Sequence, residues 1–204
     1  MKLKALQSSE ITTIYQGRMV HDFIRDELKE LPVILKAVQN GIYECLGLFD
    51  DDEIIGYAFL AKQGKDYLLD YFAIYPEYRN KGLGSAILGQ LREYFEEAGL
   101  IIGEVEDPSY TKDHDLKTLQ TRRIAFYKRN ECTDTGLRVK CFGVPFIILE
   151  LDKSRIRSEA ELWEMYQSFY RAIYSEEIVK KNIEYLGIED SKKEAINESD
   201  NKST

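Results

Sequence analysis

One stretch constrains this chain more than any other, the run from Tyr67 to Phe95. Its first part, Tyr67-Leu-Leu-Asp-Tyr-Phe-Ala-Ile74, is apolar and aromatic with Asp70 as its one charge, which predicts a strand. Its last part sets Ile87, Leu88, Leu91, Tyr94, Phe95 and Ala98 at helical spacing, with Gly99 as a C-cap. Between them Arg79-x-x-Gly82-x-Gly84 brings bare backbone N–H groups to a helix N-terminus. Those amides have no intrahelical partner, and the helix dipole adds partial positive charge there. A strand feeding such a turn is a place to hold a phosphate.

The rest of the chain arranges itself around that unit. Leu3 to Leu6 predicts a first strand, and Ser8 or Ser9 can cap a helix that runs from Ile11 to about Phe23. Helical spacing continues from Ile24 to Pro32 and again from Val33 to Val38, ending at Asn40-Gly41. Residues 42–49 and 54–61 predict strands joined by the Asp50–Glu53 turn, which with the strand at Tyr67 make an antiparallel meander. Leu100 to Glu106 predicts a strand after the helix, and a right-handed crossover makes it parallel to Tyr67–Ile74. A polar loop over 107–118, a basic helix over Leu119–Arg129 and strands over Arg138–Phe142 and Pro145–Leu151 follow. From Glu159 an apolar stripe of Leu162, Met165, Tyr166, Phe169, Tyr170 and Ile173 predicts a packed helix. Ser175 then caps another helix, carrying Ile178, Val179, Ile183 and Leu186. Glu189 to Thr204 is too poor in apolar side chains to pack, so a disordered tail is expected.

Composition narrows the functional classes. At 204 residues and 44% hydrophobic content the chain is one domain with appendages and a substantial core. No apolar run approaches the roughly 18 residues that a membrane helix needs, and the N-terminus lacks the core of a signal peptide. Cys45, Cys132 and Cys141 fit neither a zinc pattern nor a disulfide framework, so free thiols in a cytoplasmic protein are expected. A net charge of −8 argues against a nucleic-acid binder and is compatible with cationic substrates.

Two known phosphate-binding turns fail on detail. A dinucleotide fingerprint needs a glycine at position 87, which is Ile, and needs its first glycine directly after the strand, whereas Tyr75–Arg79 intervene. A Walker loop needs Gly-Lys-Ser/Thr, which is missing here. Instead, Arg79-x-x-Gly82-x-Gly84 after Phe72-Ala-Ile74, together with Ile124-Ala-Phe-Tyr127-Lys-Arg-Asn130 downstream, resembles the acyl-CoA-binding segments of the Gcn5-related N-acetyltransferase (GNAT) family. The resemblance covers about Leu3 to Leu151.

The resemblance implies an α/β (α+β) fold with a central mixed sheet of about seven strands. The sheet is antiparallel except for a parallel, splayed fourth and fifth pair, is flanked by helices and carries extra C-terminal helices. Residues 1–153 form the N-acetyltransferase domain, 154–188 a C-terminal helical extension and 189–204 the tail. It implies acetyl-CoA as co-substrate and no metal. The pantetheine arm pairs with the fourth strand at Phe72, Ala73 and Ile74, and the pyrophosphate meets Arg79, Asn80, Lys81, Gly82, Leu83, Gly84 and Ser85. Arg79 either adds charge there or braces the loop.

The reaction implied is transfer of an acetyl group to a primary amine by direct attack on the thioester in a ternary complex. An alkylammonium of pKa about 10.4 must lose its proton, which costs about 4.6 kcal/mol at pH 7. Tyr127 matches the family's general acid toward the leaving thiolate. The base is open. Glu104 and Glu106 alternate to one face of the fifth strand, and Asp70 shares a face of the fourth with Leu68, Phe72 and Ile74. The position of the glutamate that some family members use is Leu68 here, so Glu104, Glu106 or Asp70 act as base or through a water. His21 and His114 have no matching partners and are assigned to surface or packing. The acceptor is a small-molecule or peptide amine, drawn by Glu104, Glu106, Asp107 and Asp113; no nucleic acid or membrane partner is expected, and the chain is a monomer or a homodimer. A non-catalytic acyl-CoA-binding regulatory or interaction module of the same fold is the alternative, and the presence of both the turn and Tyr127 favours the enzyme.

Overall fold

The computed structural model describes residues 1–25, 27–151 and 157–188. The expected tail over 189–204 lies outside them. Eight strands form one sheet in the order β1-β2-β3-β4-β5-β7-β6-β8. The strands are β1 (Lys2–Ala5), β2 (Tyr43–Asp50), β3 (Glu53–Gln63), β4 (Asp66–Ile74), β5 (Ile101–Glu106), β6 (Thr133–Cys141), β7 (Val144–Glu150) and β8 (Ile183–Ile188). Every neighbouring pair is antiparallel except β4 and β5, which are parallel. Helices cover both faces. The first face carries α1 (Ser8–Ile14), which continues through a π-helical stretch (Tyr15–Met19) into the short α2 (Val20–Asp22), together with α3 (Leu31–Gln39) and α6 (Glu159–Ile173). The second face carries α4 (Leu83–Tyr94) and α5 (His114–Arg129). The short α7 (Glu176–Asn182) leads into β8. No described helix is long and apolar enough to cross a membrane.

Three segments depart from the sequence expectation. The expected helix running from Ile24 toward Pro32 does not form over the described residues 24, 25 and 27–30, and helix resumes only at Leu31. Phe23 turns extended, at φ −123° and ψ 147°, and the Tyr71 hydroxyl then takes over the backbone, accepting from Lys29 N at 2.8 Å and donating to Glu27 O at 2.9 Å. Residues 114–118 are the first turn of α5 rather than loop, because Asp113 accepts from Leu116 N at 2.8 Å and starts the helix there. Ile183 to Ile188 is strand β8, not helix, which raises the sheet to eight strands. Helix α7 stops at Asn182, whose carbonyl accepts from Phe142 N at 2.8 Å, and the pairing that begins at Cys141↔Ile183 covers the edge of β6. An open strand edge outweighs the weak helical preference of so short a segment.

Strand β4 is irregular at one point, beside the parallel pair. Leu69 pairs with Leu60 and Tyr71 with Phe59, so Asp70 is the extra residue of a β-bulge. The alternation of side chains slips there. Leu68, Tyr71 and Ala73 join the core of the first face, whereas Leu69 and Phe72 join that of the second. The expected shared face of Asp70 with Leu68, Phe72 and Ile74 therefore does not hold.

Helix α6 is part of the main core. Its Ser158 and Glu161 form a reciprocal capping box, and Tyr166, Phe169 and Tyr170 are buried in the cluster that also holds Phe59, Leu68 and Ile102. Phe169→Ala is expected to lower unfolding free energy by about 3–5 kcal/mol in a single cooperative urea transition; a separate early transition for α6 would contradict this packing.

Candidate active site

The parallel pairing of β4 and β5 covers only Tyr67↔Ile101, Leu68↔Ile102 and Leu69↔Gly103. Beyond it the strands part, and a cleft of about 1330 Å³ passes between them, lined by residues of both sheet faces. The next residues along the two strands are Asp70 and Glu104, so both carboxylates stand where the fork opens. The bulge at Asp70 and the loss of pairing occur together, and β4 from Tyr71 to Ile74 keeps β3 as its neighbour while its other edge borders the cleft.

The donor-side turn is built from backbone conformations that few residues tolerate. Asn80 and Gly82 are both left-handed, at φ 62° and 77°, and Gly82 is the N-cap of α4. No side chain caps this helix, so its first amides remain for a ligand. At Gly84 a Cβ would stand 3.1 Å from Phe126 Cζ, so that glycine lets α5 approach closely, and the Phe126 ring in turn stacks on Phe72 at 6.4 Å. Arg79 acts as a brace: its Nε donates to Ile74 O at 2.9 Å and its Nη2 to Asp22 Oδ1 at 2.8 Å. Asp22 Oδ2 also accepts from Tyr57 at 2.9 Å. Phe72, Ala73, Ile74, Arg79, Asn80, Gly82, Leu83, Gly84 and Ser85 all line the cleft. Lys81 does not; its ammonium lies 5.2 Å from the Tyr78 ring centroid.

The carboxylates named from the sequence have three different environments. Asp70 accepts two hydrogen bonds from Lys29 Nζ, at 2.9 and 2.8 Å, in a pair whose side chains are 5% and 7% exposed. Burial works to lower the Lys29 pKa, but Asp70 and the Tyr71 hydroxyl hold it well above the usual value. Glu106 is bound by Arg123 of α5, at 2.6 and 2.5 Å. Glu104 is held by phenols: Tyr170 donates to its Oε1 at 2.8 Å, and Tyr166 donates to the same oxygen. Burial first, then the Asp70 charge, push the Glu104 carboxyl up to about 7, although Tyr166, Lys29 and Tyr170 oppose the rise.

Tyr127 lies on the α5 side of the fork and lines the cleft, packed in the two clusters of the second face. Burial pushes its phenol up, so it stays protonated at neutral pH. Asp107 and Asp113, expected to attract the acceptor, are caps, accepting from Ser109 N at 2.9 Å and Leu116 N at 2.8 Å. His21 sits at the rim of the cleft and His114 is an exposed first residue of α5. All three cysteines are buried and free, and Cys141 reaches the cleft wall. Among the described residues no cluster of His, Cys, Asp and Glu is arranged to hold a metal ion.

Lys29, Tyr166 and Tyr170 were not singled out from the sequence. The two tyrosines carried a usable signal: a buried phenol needs a partner, and two of them at i and i+4 on an apolar stripe point to one shared acceptor. Lys29 carries none, because its partner Asp70 lies on a strand remote in sequence.

This geometry has relatives. The family model described as acetyltransferase (GNAT) family matches residues 9–129. The chain therefore belongs to the GNAT acetyltransferase family. Among solved structures, a GNAT-family protein from Bacteroides thetaiotaomicron superposes with a TM-score of 0.67 at 21% identity, covering 85% of this chain and 98% of that one. The ribosomal-protein-S18-alanine N-acetyltransferase of Escherichia coli superposes at 0.56 and 17% identity, covering 78% and 97%. An aminoglycoside 6′-N-acetyltransferase complexed with coenzyme A superposes at 0.54 and 14% identity, covering 76% and 100%. At these identities the likeness establishes the fold. No curated protein sequence matches the chain.

The Lys29–Asp70 pair yields a stability prediction. Asp70→Asn strands a buried ammonium and is expected to cost about 3–5 kcal/mol in urea unfolding, whereas Lys29→Met combined with Asp70→Leu is expected to recover most of that loss. Equal destabilisation by the single and the double variant would show that the pair is not buried as described.

Proposed function

We propose that the protein transfers an acetyl group from acetyl-CoA to the primary amine of a small molecule or peptide, by direct attack within a ternary complex. One observation carries this reading: Glu104 and Tyr127, from opposite sides of the β4–β5 fork, line one cleft that begins at the uncapped start of α4. The donor set fits coenzyme A. The bare amides of Leu83, Gly84 and Ser85 suit a pyrophosphate, and the free edge of β4 from Tyr71 to Ile74 suits the amide groups of the pantetheine arm. Bound there, acetyl-CoA supplies the activated acyl group.

The chain's own residues then move protons. Glu104 takes one from the incoming ammonium; its pKa of about 7 suits that transfer, and Asp70 and Glu106 are already engaged by Lys29 and Arg123. The amine nitrogen forms a bond to the acyl carbon, the C–S bond breaks, and Tyr127 donates its phenolic proton to the departing thiolate. Glu30, Asp70 and Glu104 line the acceptor end together with Lys29, an acidic balance that favours a cationic acceptor.

The test is thiol release from acetyl-CoA across a panel of amines. Tyr127→Phe is expected to lower kcat by about 100-fold with the acetyl-CoA KM nearly unchanged. Acetyl-CoA binding without turnover on any amine would leave a binding module instead. In the native protein kcat/KM is expected to rise with pH through about 7 and then level off, because Glu104 works as the deprotonated form. Glu104→Gln is expected to abolish that limb along with most of the activity.

A further inference from the structure

The carboxylate of Glu104 is held asymmetrically. Tyr166 and Tyr170, one turn apart on α6, both donate to Oε1, and among the described residues no hydrogen bond reaches Oε2. Both phenols are buried, at 0% and 2% exposure. Helix α6 is fixed from above by its capping box and from within by Phe169, so the two hydroxyls are presented by a rigid element. We infer that Tyr166 and Tyr170 are positioning residues for the acetyl transfer, fixing the Glu104 carboxylate through one oxygen and leaving the other to receive the amine proton. This rests on the reading of Glu104 as the base.

Phenols suit the task better than a cation. A lysine or arginine in their place would favour the carboxylate form far more strongly and weaken it as a proton acceptor. Two neutral donors stabilise the anion less and add no charge to the acceptor end. They also stay donors, because burial, with Glu104 and Cys141 beside them, holds both phenols well above their ordinary range. Glu104 is faced by titratable groups from several elements. Asp70 on β4 works against its ionisation, Lys29 between α2 and α3 favours it, and the two phenols of α6 favour it. Cys141 on β6 borders the same cluster, with its thiol pushed up to about 12 by burial and by Glu104. The phenols therefore offset the burial and the Asp70 charge that would otherwise keep the base protonated.

The test uses the full chain with carboxyl-labelled glutamate and no substrate, monitored by carbon NMR across pH, with Glu104→Gln assigning the resonance. A carboxyl titrating near pH 7 is expected in the native protein, with a midpoint about one unit higher in Tyr166→Phe and in Tyr170→Phe. Native-like urea midpoints establish that the variants fold; if Tyr166→Phe does not, Tyr170→Phe carries the measurement alone. A midpoint that stays in place in the folded variants, or a native chain with no carboxyl titrating near neutrality, overturns the proposal. The base reading is judged separately by the amine panel. Glu104→Gln with native activity would end that reading and with it the catalytic role of the phenols, whereas an unmoved midpoint together with an inactive Glu104→Gln would end the positioning role alone.

Discussion

Two like charges at the mouth of a fork set the terms for the rest of this molecule. The last β4–β5 pair is Leu69↔Gly103, and the next residues are Asp70 and Glu104. Closing the strands would press two carboxylates together inside the protein, so the fork and the charges are mutually consistent. Each charge is then met from a different part of the chain. Lys29 answers Asp70 from a segment that gives up helix to do so, and α6 answers Glu104 with two phenols. The result is one carboxylate paired with a buried cation and another hydrogen-bonded by two neutral phenols. The asymmetry comes from the partners, not from the carboxylates themselves.

The same opening joins the two faces of the sheet. On one side stand α4 and α5, held in close contact at Gly84 and Phe126; on the other stand Phe23, Leu28 and α6. A sheet normally separates its faces completely. Here the gap between two strands brings Tyr127 from one face and Glu104 from the other to the lining of one cleft.

How much of this could be taken from the sequence depends on where each interaction lies. The strand, turn and helix of Tyr67–Phe95 are local, and residue type alone carries them: apolar alternation, two glycines, helical spacing. The parallel crossover follows from chain geometry. The bulge at Asp70 left no trace, because no glycine marks it and the register of β3 decides it. The residues after Phe23 have helical spacing, but Tyr71, remote in sequence, bonds the backbone at Glu27 and Lys29 in place of a helix. Strand β8 likewise owes its state to the open edge of β6. In the site, the turn, Tyr127 and the three carboxylates were named from residue types and resemblance. Which carboxylate is suited to which task depended on Lys29, Arg123 and α6, all supplied by tertiary packing.

On the proposed reading of the cleft, the Asp22–Arg79 contact divides the handling of an anion into two stages. With its charge offset by Asp22, Arg79 leaves the first amides of α4 as the main attraction within the turn. The field of such dipoles fades within a turn of helix, so they act on contact and confer fit. Attraction over distance falls instead to Arg122 and Arg129, which stand exposed along α5 on the same cleft in an otherwise acidic protein. Capture by the arginines therefore weakens as salt rises, while seating at the turn, made of short-range backbone contacts, is far less affected.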